Sequence, residues 1–129
     1  MPSMTETTPA FSGGRNIALK VPPHRYEATL AFYRDVLHLP ALAGPTGGAT
    51  GFVFGPCNLW VDNCPGLSQA EIWLEVVTSG VDEAASVMAS AGLARRDEIE
   101  DLGAGFDGFW ISSPADTIHL VDSREQTWA

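Results

Sequence analysis

The sequence predicts an α+β fold made of two tandem β-α-β-β-β modules, and a weak internal repeat is the main reason. The stretch 16–21, Asn-Ile-Ala-Leu-Lys-Val, returns at 71–76 as Glu-Ile-Trp-Leu-Glu-Val, 55 positions later. Alternate residues are aliphatic in both copies, which is typical of a strand with one face in a core. A helical pattern and three short strand patterns follow each copy. Two units cannot form a solenoid, so they must cover each other or a second chain.

The first module is predicted to span residues 15–64. Its opening strand ends at Pro22-Pro23, because proline cannot donate to a sheet ladder. A helix is expected from about 24 to 37, with an apolar stripe formed by Tyr26, Leu30, Tyr33 and Leu37 and widened by Phe32 and Val36. Three strands are then expected at 41–45, 50–54 and 58–63, separated by turns at Gly47-Gly48 and Gly55-Pro56.

A linker at 65–69 precedes the second module, which is predicted to span residues 70–123. Gly92 is suited to the left-handed residue that ends a helix. The expected elements are a strand at 70–77, a helix at 81–91, and strands at 94–99, 107–112 and 117–122. Residues 1–14 are interpreted as a flexible lead, with a short strand near Phe11 as the alternative, and 124–129 as a C-terminal tail. The whole chain is expected to form one structural domain.

Composition excludes several classes of partner. The 129 residues carry a net charge of −9, and the seven basic residues form no stripe that would follow a nucleic-acid backbone. No apolar run approaches the length of a membrane span, and no secretory leader is recognisable. Cys57 and Cys64 are too far apart along one strand to form a disulfide, which suits a reducing cytoplasm. We therefore expect a cytoplasmic protein with no nucleic-acid or membrane partner.

Several motifs resemble the vicinal oxygen chelate superfamily, the group of glyoxalase I, bleomycin-resistance proteins and extradiol dioxygenases. The resemblance rests on the opening strand at 17–21, the helix segment Leu-Ala-Phe-Tyr-Arg-Asp-Val-Leu at 30–37, and the segments 108–111 and 113–122 near the end. It covers nearly all of residues 15–123. It implies that curved mixed sheets of the two modules face each other and form a cleft for a small organic ligand.

The resemblance also implies a site for a divalent metal such as zinc, nickel, manganese or iron. The family's ligand positions are the first residue of each opening strand and a residue of each last strand, and here they fall on Asn16, Trp60, Glu71 and His119. Asn16 is a weak ligand and Trp60 cannot bind a metal. Glu71 and His119 remain able to do so through oxygen and nitrogen. The implied site is therefore incomplete unless water or substrate completes it, and a hydrogen-bonded Glu71–His119 pair is the alternative.

Further candidate ligand contacts lie on the side of the strands opposite the aliphatic residues. Trp60, Trp73 and Trp110 either line a flat aromatic pocket, each with one N–H donor, or fill the space completely. Lys20 and Glu75 occupy equivalent positions in the two opening strands, so an ion pair between them is an alternative to substrate contact. Asn16 joins this set as a polar contact.

Three functions fit these observations. The first is a binding function. The protein would hold an aromatic or amphipathic compound in the manner of bleomycin-resistance proteins, and its metal site would be incomplete or degenerate. The second is a divalent-metal-dependent lyase, isomerase or dioxygenase acting on a substrate with vicinal oxygens. The third uses the fold for association alone. A homodimer is expected in each case.

Overall fold

The computed structural model describes residues 9–43 and 50–123. Two compact units make up this part of the chain. The first unit is formed by residues 15–73, and in the second unit residues 9–14 join residues 74–123. The remainder of the predicted lead, the Gly47-Gly48 turn, the end of the predicted 41–45 strand and the C-terminal tail lie outside the described residues.

The first unit has the predicted β-α-β-β-β order. Its elements are β1 (Phe11–Val21), α1 (Pro23–Ala31), a π-helical turn (Phe32–Val36), β2 (Ala41–Ala43), β3 (Thr50–Phe54) and β4 (Cys57–Asn63). The strands lie in the order β2-β3-β4-β1, with β1 and β4 parallel and the other pairs antiparallel. Parallel and antiparallel pairs therefore share one sheet, and the predicted α+β class is confirmed.

Helix α1 packs on one face of this sheet and closes the core of the first unit. Leu30 is buried against Val21, Phe52 and Val61. The ring of Tyr33 lies 5.7 Å from that of Phe52. These contacts fix which face of the sheet meets the helix and leave the alternate side chains of β1 and β4 on the other face.

The predicted helix is α-helical up to Ala31 and π-helical from Phe32. The N–H of Leu37 donates to the carbonyl of Phe32, five residues back, at 3.0 Å. A π turn takes more residues than an α turn, so side chains beyond it rotate away from the apolar stripe. Phe32, Val36 and Leu37 are 46%, 66% and 43% exposed, so of the predicted stripe Tyr26, Leu30 and Tyr33 pack against the core and these three residues do not.

The second unit repeats the order with β5 (Glu71–Thr78), α2 (Val81–Ser90), β6 (Ala94–Arg95), β7 (Gly108–Ser112) and β8 (Ile118–Asp122), the first three residues of β5 belonging to the first unit. The strands lie in the order β5-β8-β7-β6, with β5 and β8 parallel. Ala84 of α2 is fully buried against Phe109, Ile111 and Val121. The predicted order is therefore confirmed in this unit as well.

Gly92 ends α2 as predicted. Its φ is +81°, and the N–H of Leu93 donates to the carbonyl of Met88 at 3.1 Å. Glycine pays no Cβ penalty in this left-handed conformation. The chain can therefore reverse directly after the helix.

The largest differences from the predicted boundaries are at the start of β1 and at the end of β6. β1 begins at Phe11, so residues 11–14 belong to a strand and not to the lead. The N–H of Ser79 donates to the carbonyl of Ala10 and the N–H of Ala10 donates to Ser79 Oγ, which holds the chain just before the strand. The strand expected at 94–99 stops at Arg95.

The aliphatic residues of β5 are only partly covered. Val76 packs against the α2 core, whereas Ile72 and Leu74 are 54% and 36% exposed. The prediction that all alternate aliphatic residues face a core is therefore wrong for this strand. Within the described residues, no helix is long and apolar enough to cross a membrane.

Candidate functional site

In each unit we call the sheet face turned away from the helix the front face. Most of the candidate binding residues lie on this face. In the first unit the front face carries Asn16, Ala18 and Lys20 of β1. The parallel register places Asn58, Trp60 and Asp62 of β4 directly beside them. An amide, an indole and an ion pair thus lie in three adjacent rows.

Asn16 and Trp60, two of the positions implied for a metal, are hydrogen-bonded to each other. Trp60 Nε1 donates to Asn16 Oδ1 at 2.8 Å. Asn58 Nδ2 donates to the same oxygen at 3.2 Å. A carbonyl oxygen has two lone pairs, so these donors satisfy the one Asn16 side-chain atom that is able to bind a metal.

Gly51 makes room for the Trp60 indole. It lies opposite Trp60 in the β3–β4 pair, and a Cβ added to Gly51 would lie 2.6 Å from Trp60 Cε3. That distance is far inside van der Waals contact. The six-membered ring of the indole therefore occupies the space beside Gly51 on the neighbouring strand, and Trp60 is 8% exposed.

Lys20 is a buried cation with two partners in the first unit. Its Nζ lies 2.7 Å from Asp62 Oδ2, and it also lies 4.3 Å from the centroid of the Trp73 ring. The Lys20 side chain is 4% exposed, and that of Asp62 is 29% exposed. A charged group in such a place needs compensation, which the carboxylate and the ring face provide. Glu75, the partner suggested by the repeat, belongs to the second unit, and that pairing stays a prediction.

Glu71 supports the indole of Trp73, the second indole of the first unit. Trp73 Nε1 donates to Glu71 Oε1 at 2.9 Å. Glu71 is exposed, whereas Trp73 is 8% exposed. The carboxylate keeps a second oxygen, so Glu71 retains the chemical capacity to bind a cation.

In the second unit the front face carries Glu75 of β5, Leu120 of β8 and Trp110 of β7. Leu120 is the register partner of both Glu75 and Trp110. Glu75 is buried, and a Cβ on Gly14 would overlap its carboxyl group. The position of β8 between the acid and the indole therefore holds an aliphatic side chain with no ligand atom.

Trp110 is fixed by a loop that precedes its strand. Its Nε1 donates to the carbonyl of Glu100 at 3.0 Å, and its backbone N–H donates to Asp97 Oδ1 at 3.0 Å. The side chain is 3% exposed. All three indole donors proposed to orient a ligand are thus engaged by the protein itself.

His119 lies on the face opposite to the one expected. Its register partners are Leu74 and Ile111, and Ile111 packs in the α2 core. Its Nδ1 lies 3.0 Å from the carbonyl of Thr117. A carbonyl only accepts, so this hydrogen bond requires a proton on Nδ1 and leaves the Nε2 lone pair available when the imidazole is neutral.

The metal set implied by the resemblance is only partly matched by these side chains. Asn16 and Trp60 bind each other, and Glu71 and His119 belong to different units. Among residues 9–43 and 50–123, no group of three or more His, Cys, Asp or Glu side chains is placed to hold a metal ion. Metal binding by Glu71 and His119 stays a prediction.

Sequence reasoning missed Asn58, Asp62, Gly51 and Leu120. The first two become neighbours of Asn16 and Lys20 only through a parallel pairing that spans 42 positions. Gly51 had a local signal, since a glycine inside a strand often marks a close approach. Leu120 was passed over for its neighbour His119, although the alternation within β8 decides the face.

Solved structures with this fold include a glyoxalase and a homoprotocatechuate 2,3-dioxygenase. The Mn(II)-bound glyoxalase from Novosphingobium aromaticivorans matches 89% of the chain with a TM-score of 0.62 and 19% identity. Homoprotocatechuate 2,3-dioxygenase from Brevibacterium fuscum, in an anaerobic complex with 3,4-dihydroxyphenylacetate, matches 95% with a TM-score of 0.60 and 18% identity. The matched regions cover 41% and 39% of those two chains, so this chain spans about two fifths of their length.

A hypothetical protein from Bacillus halodurans C-125 matches on nearly its whole length. The match covers 93% of this chain and 99% of the other, with a TM-score of 0.60 and 13% identity. Neither protein-family models nor curated proteins gave a match. At these identities the comparisons establish the fold alone, and they confirm the vicinal oxygen chelate resemblance at that level.

Proposed function

We propose that this protein binds a small organic ligand and that the metal positions of its first unit have been taken over by other side chains. The observation that carries the proposal is the double hydrogen bond to Asn16 Oδ1 from Trp60 and Asn58. The function is then sequestration or transfer of the ligand, as the resemblance to bleomycin-resistance proteins suggests.

The energetics of the Asn16 pair support this proposal. A metal ion at Asn16 Oδ1 would displace the Trp60 donor, which lies in a side chain that is 8% exposed. Leaving a buried donor without a partner costs about 1–3 kcal/mol. The indole nitrogen carries a proton and offers no lone pair, so Trp60 cannot coordinate the ion. These residues therefore do not fit a metal.

The proposed ligand is aromatic or amphipathic. Candidate contacts are Asn16, Lys20, Trp60 and Trp73 in the first unit and, in the second unit taken by itself, Glu75 and Trp110. Because the indole N–H groups already donate to Asn16, Glu71 and Glu100, the indoles would contribute ring surface and not donors. Asp62 neutralises Lys20, which favours a ligand without a strong negative charge. Binding then depends mainly on burial of apolar area.

Tryptophan fluorescence across a library of aromatic compounds tests this proposal. We expect saturable quenching by at least one compound, and Trp60→Phe or Trp73→Phe should alter its amplitude or affinity. Metal content should be measured in parallel by mass spectrometry after incubation with zinc, nickel, manganese and ferrous ions. No saturable response from any compound would remove the binding proposal and leave association as the remaining use of the fold.

One observation favours a second function, a divalent-metal-dependent lyase, isomerase or dioxygenase. His119 Nδ1 faces the Thr117 carbonyl, an arrangement that commonly orients the other ring nitrogen toward a metal. A bound divalent ion would polarise vicinal oxygens of a substrate. Stoichiometric metal binding that is lost in both His119→Ala and Glu71→Ala would assign the ion to these residues and would favour this function over the first.

The proposal includes a homodimer in the cytoplasm. Ile72 and Leu74 expose aliphatic surface on β5, and two free thiols suit a reducing compartment. Sedimentation equilibrium of the wild-type protein and of Ile72→Lys tests the dimer. A monomeric wild-type protein at micromolar concentration would contradict it.

A further inference from the structure

Asn58 lies on the front face of the first unit and uses only part of its hydrogen-bonding capacity. Its Nδ2 donates to Asn16 Oδ1 at 3.2 Å. A side-chain amide carries two N–H hydrogens and one carbonyl oxygen that accepts. Asn58 therefore keeps a second N–H and its Oδ1, and the described residues supply no partner for either group.

The Trp60 indole determines which way the Asn58 amide is turned. An indole N–H only donates, so the atom of Asn16 that lies 2.8 Å from Trp60 Nε1 must be the oxygen. The atom of Asn58 that faces this same oxygen must then be the nitrogen. The Asn58 oxygen consequently points away from Asn16 and has a defined place on the front face.

The neighbours of Asn58 give this part of the front face an apolar side and a polar side. Val53 is directly opposite Asn58 in the β3–β4 pair, and Asn16 is its partner in the β1–β4 pair. Residues directly opposite each other point to the same face of a sheet. Val53 and Asn58 are both half-buried, so each keeps surface that a ligand can contact.

The two remaining polar groups of Asn58 place opposite requirements on a ligand. Its Oδ1 needs a donor, and its second N–H needs an acceptor. Asparagine meets both requirements at once when it contacts adenine through one donor and one acceptor. A cyclic amide offers the same combination, because its N–H and its carbonyl group lie on neighbouring atoms of one planar ring.

Charged ligands satisfy only one of these requirements. A carboxylate has acceptors alone and would meet Asn58 Oδ1 with repulsion, and the net charge of −9 also disfavours anions. An ammonium group has donors alone and would leave the second N–H of Asn58 without an acceptor. A neutral group with both functions is therefore the best match.

We propose that Asn58 determines the specificity of the ligand site by pairing with a planar cyclic amide whose ring packs beside Val53 and Trp60. This inference rests on the proposed function and names the ligand class of the same site. Asn58 fixes the polar edge of the ligand, and the apolar neighbours contribute burial of its ring.

Titration of the full-length protein followed by NMR tests the pairing. The probes are the bicyclic amides carbostyril and isocarbostyril. N-methylcarbostyril and quinoline lack the N–H donor, and indole lacks the acceptor. We expect a cyclic amide to shift the side-chain N–H signals of Asn58 saturably and to bind at least about fivefold more tightly than each comparison compound.

Three variants separate pairing from a structural role. Asn58→Leu removes both polar groups at similar size, and the preference for cyclic amides should fall to within about twofold. Asn58→Ala should have the same effect and serves if the leucine variant folds poorly. Asn63→Leu makes the same substitution at an exposed asparagine of β4, five residues along and therefore on the opposite face, and should keep the preference.

Equal binding of the cyclic amides and the comparison compounds by the wild-type protein overturns the inference. A preference that persists in Asn58→Leu or Asn58→Ala also overturns it, because a merely structural residue changes the affinity for all compounds alike. If neither cyclic amide binds but another aromatic compound quenches tryptophan fluorescence, the amide class is wrong and the proposed function stands. If no compound binds by either method, both proposals fail.

Discussion

Trp60 donates its indole N–H to the side-chain oxygen of Asn16 across the parallel β1–β4 pair, at 2.8 Å. The pair joins two positions that the family resemblance assigns to metal ligands. In this structure the two side chains are joined to each other by a hydrogen bond, and its removal should lower the free energy of unfolding.

Asn16→Leu should lower the free energy of unfolding by about 1–3 kcal/mol, because it leaves the Trp60 and Asn58 donors without their acceptor. Urea unfolding followed by circular dichroism measures the change. Asn63→Ala is the matched control, since Asn63 is an exposed asparagine of β4. A loss for Asn16→Leu no larger than the control would contradict the assigned role.

The Lys20–Asp62 pair should show strong coupling in a double-mutant cycle. Lys20→Met removes the buried cation and also its contact with the Trp73 ring, so a loss of about 2–4 kcal/mol is expected. The coupling energy with Asp62→Asn should exceed about 1 kcal/mol. Arg34→Gln breaks the exposed Arg34–Asp35 pair and serves as the control, with no measurable change in the urea midpoint. Additive effects of the two buried-pair substitutions would show that Lys20 and Asp62 act independently.

Gly92→Ala should destabilise the protein by about 1 kcal/mol, because its φ of +81° is unfavourable for any residue with a Cβ. Thermal unfolding measures the shift. Gly66 has open space around the position of a Cβ and no left-handed φ. Gly66→Ala should therefore be neutral or slightly stabilising, and an equal loss in both variants would show that backbone conformation is not the cause.

The carboxyl group of Glu98 should titrate below the ordinary range of a glutamate. The Arg96 guanidinium donates to Glu98 Oε2 at 2.7 Å, and this hydrogen bond is the main reason that the pKa of Glu98 is lowered. A depressed pKa stabilises the folded state above the ordinary pKa of glutamate, and the contribution disappears as the pH falls through the folded pKa. Carbon-detected NMR titration should show the Glu98 pKa rising in Arg96→Gln. An unchanged value would exclude Arg96 as the cause.

The sequence allowed the order of elements to be predicted because each signal is local. The alternation in 16–21 and 71–76, the Pro22-Pro23 stop and Gly92 act within a few residues. The π turn at Phe32 was not predictable from spacing, because the α-helical spacing of Leu30, Tyr33 and Leu37 continues through it. The early start of β1 was hidden by Gly13 and Gly14, which disfavour strands in isolation.

The candidate site was predictable by residue type but not by partner. Asn16, Lys20 and Trp60 were singled out, yet Asp62 and Asn58 join them only through long-range register. An error of one position along a strand changes the predicted face. In β8 the front face is occupied by Leu120 and not by its neighbour His119. Local patterns carry no register information of this kind.

Gly51 of β3 and Trp60 of β4 lie opposite each other on adjacent strands. Because Gly51 has no side chain, the Trp60 indole has room beside it. Gly51→Ala should therefore be tolerated only where Trp60 has first been replaced by a residue with a smaller side chain. A design that places a coordinating side chain at position 60 would remove the indole that covers Gly51, so the residues at positions 51 and 60 have to be chosen together.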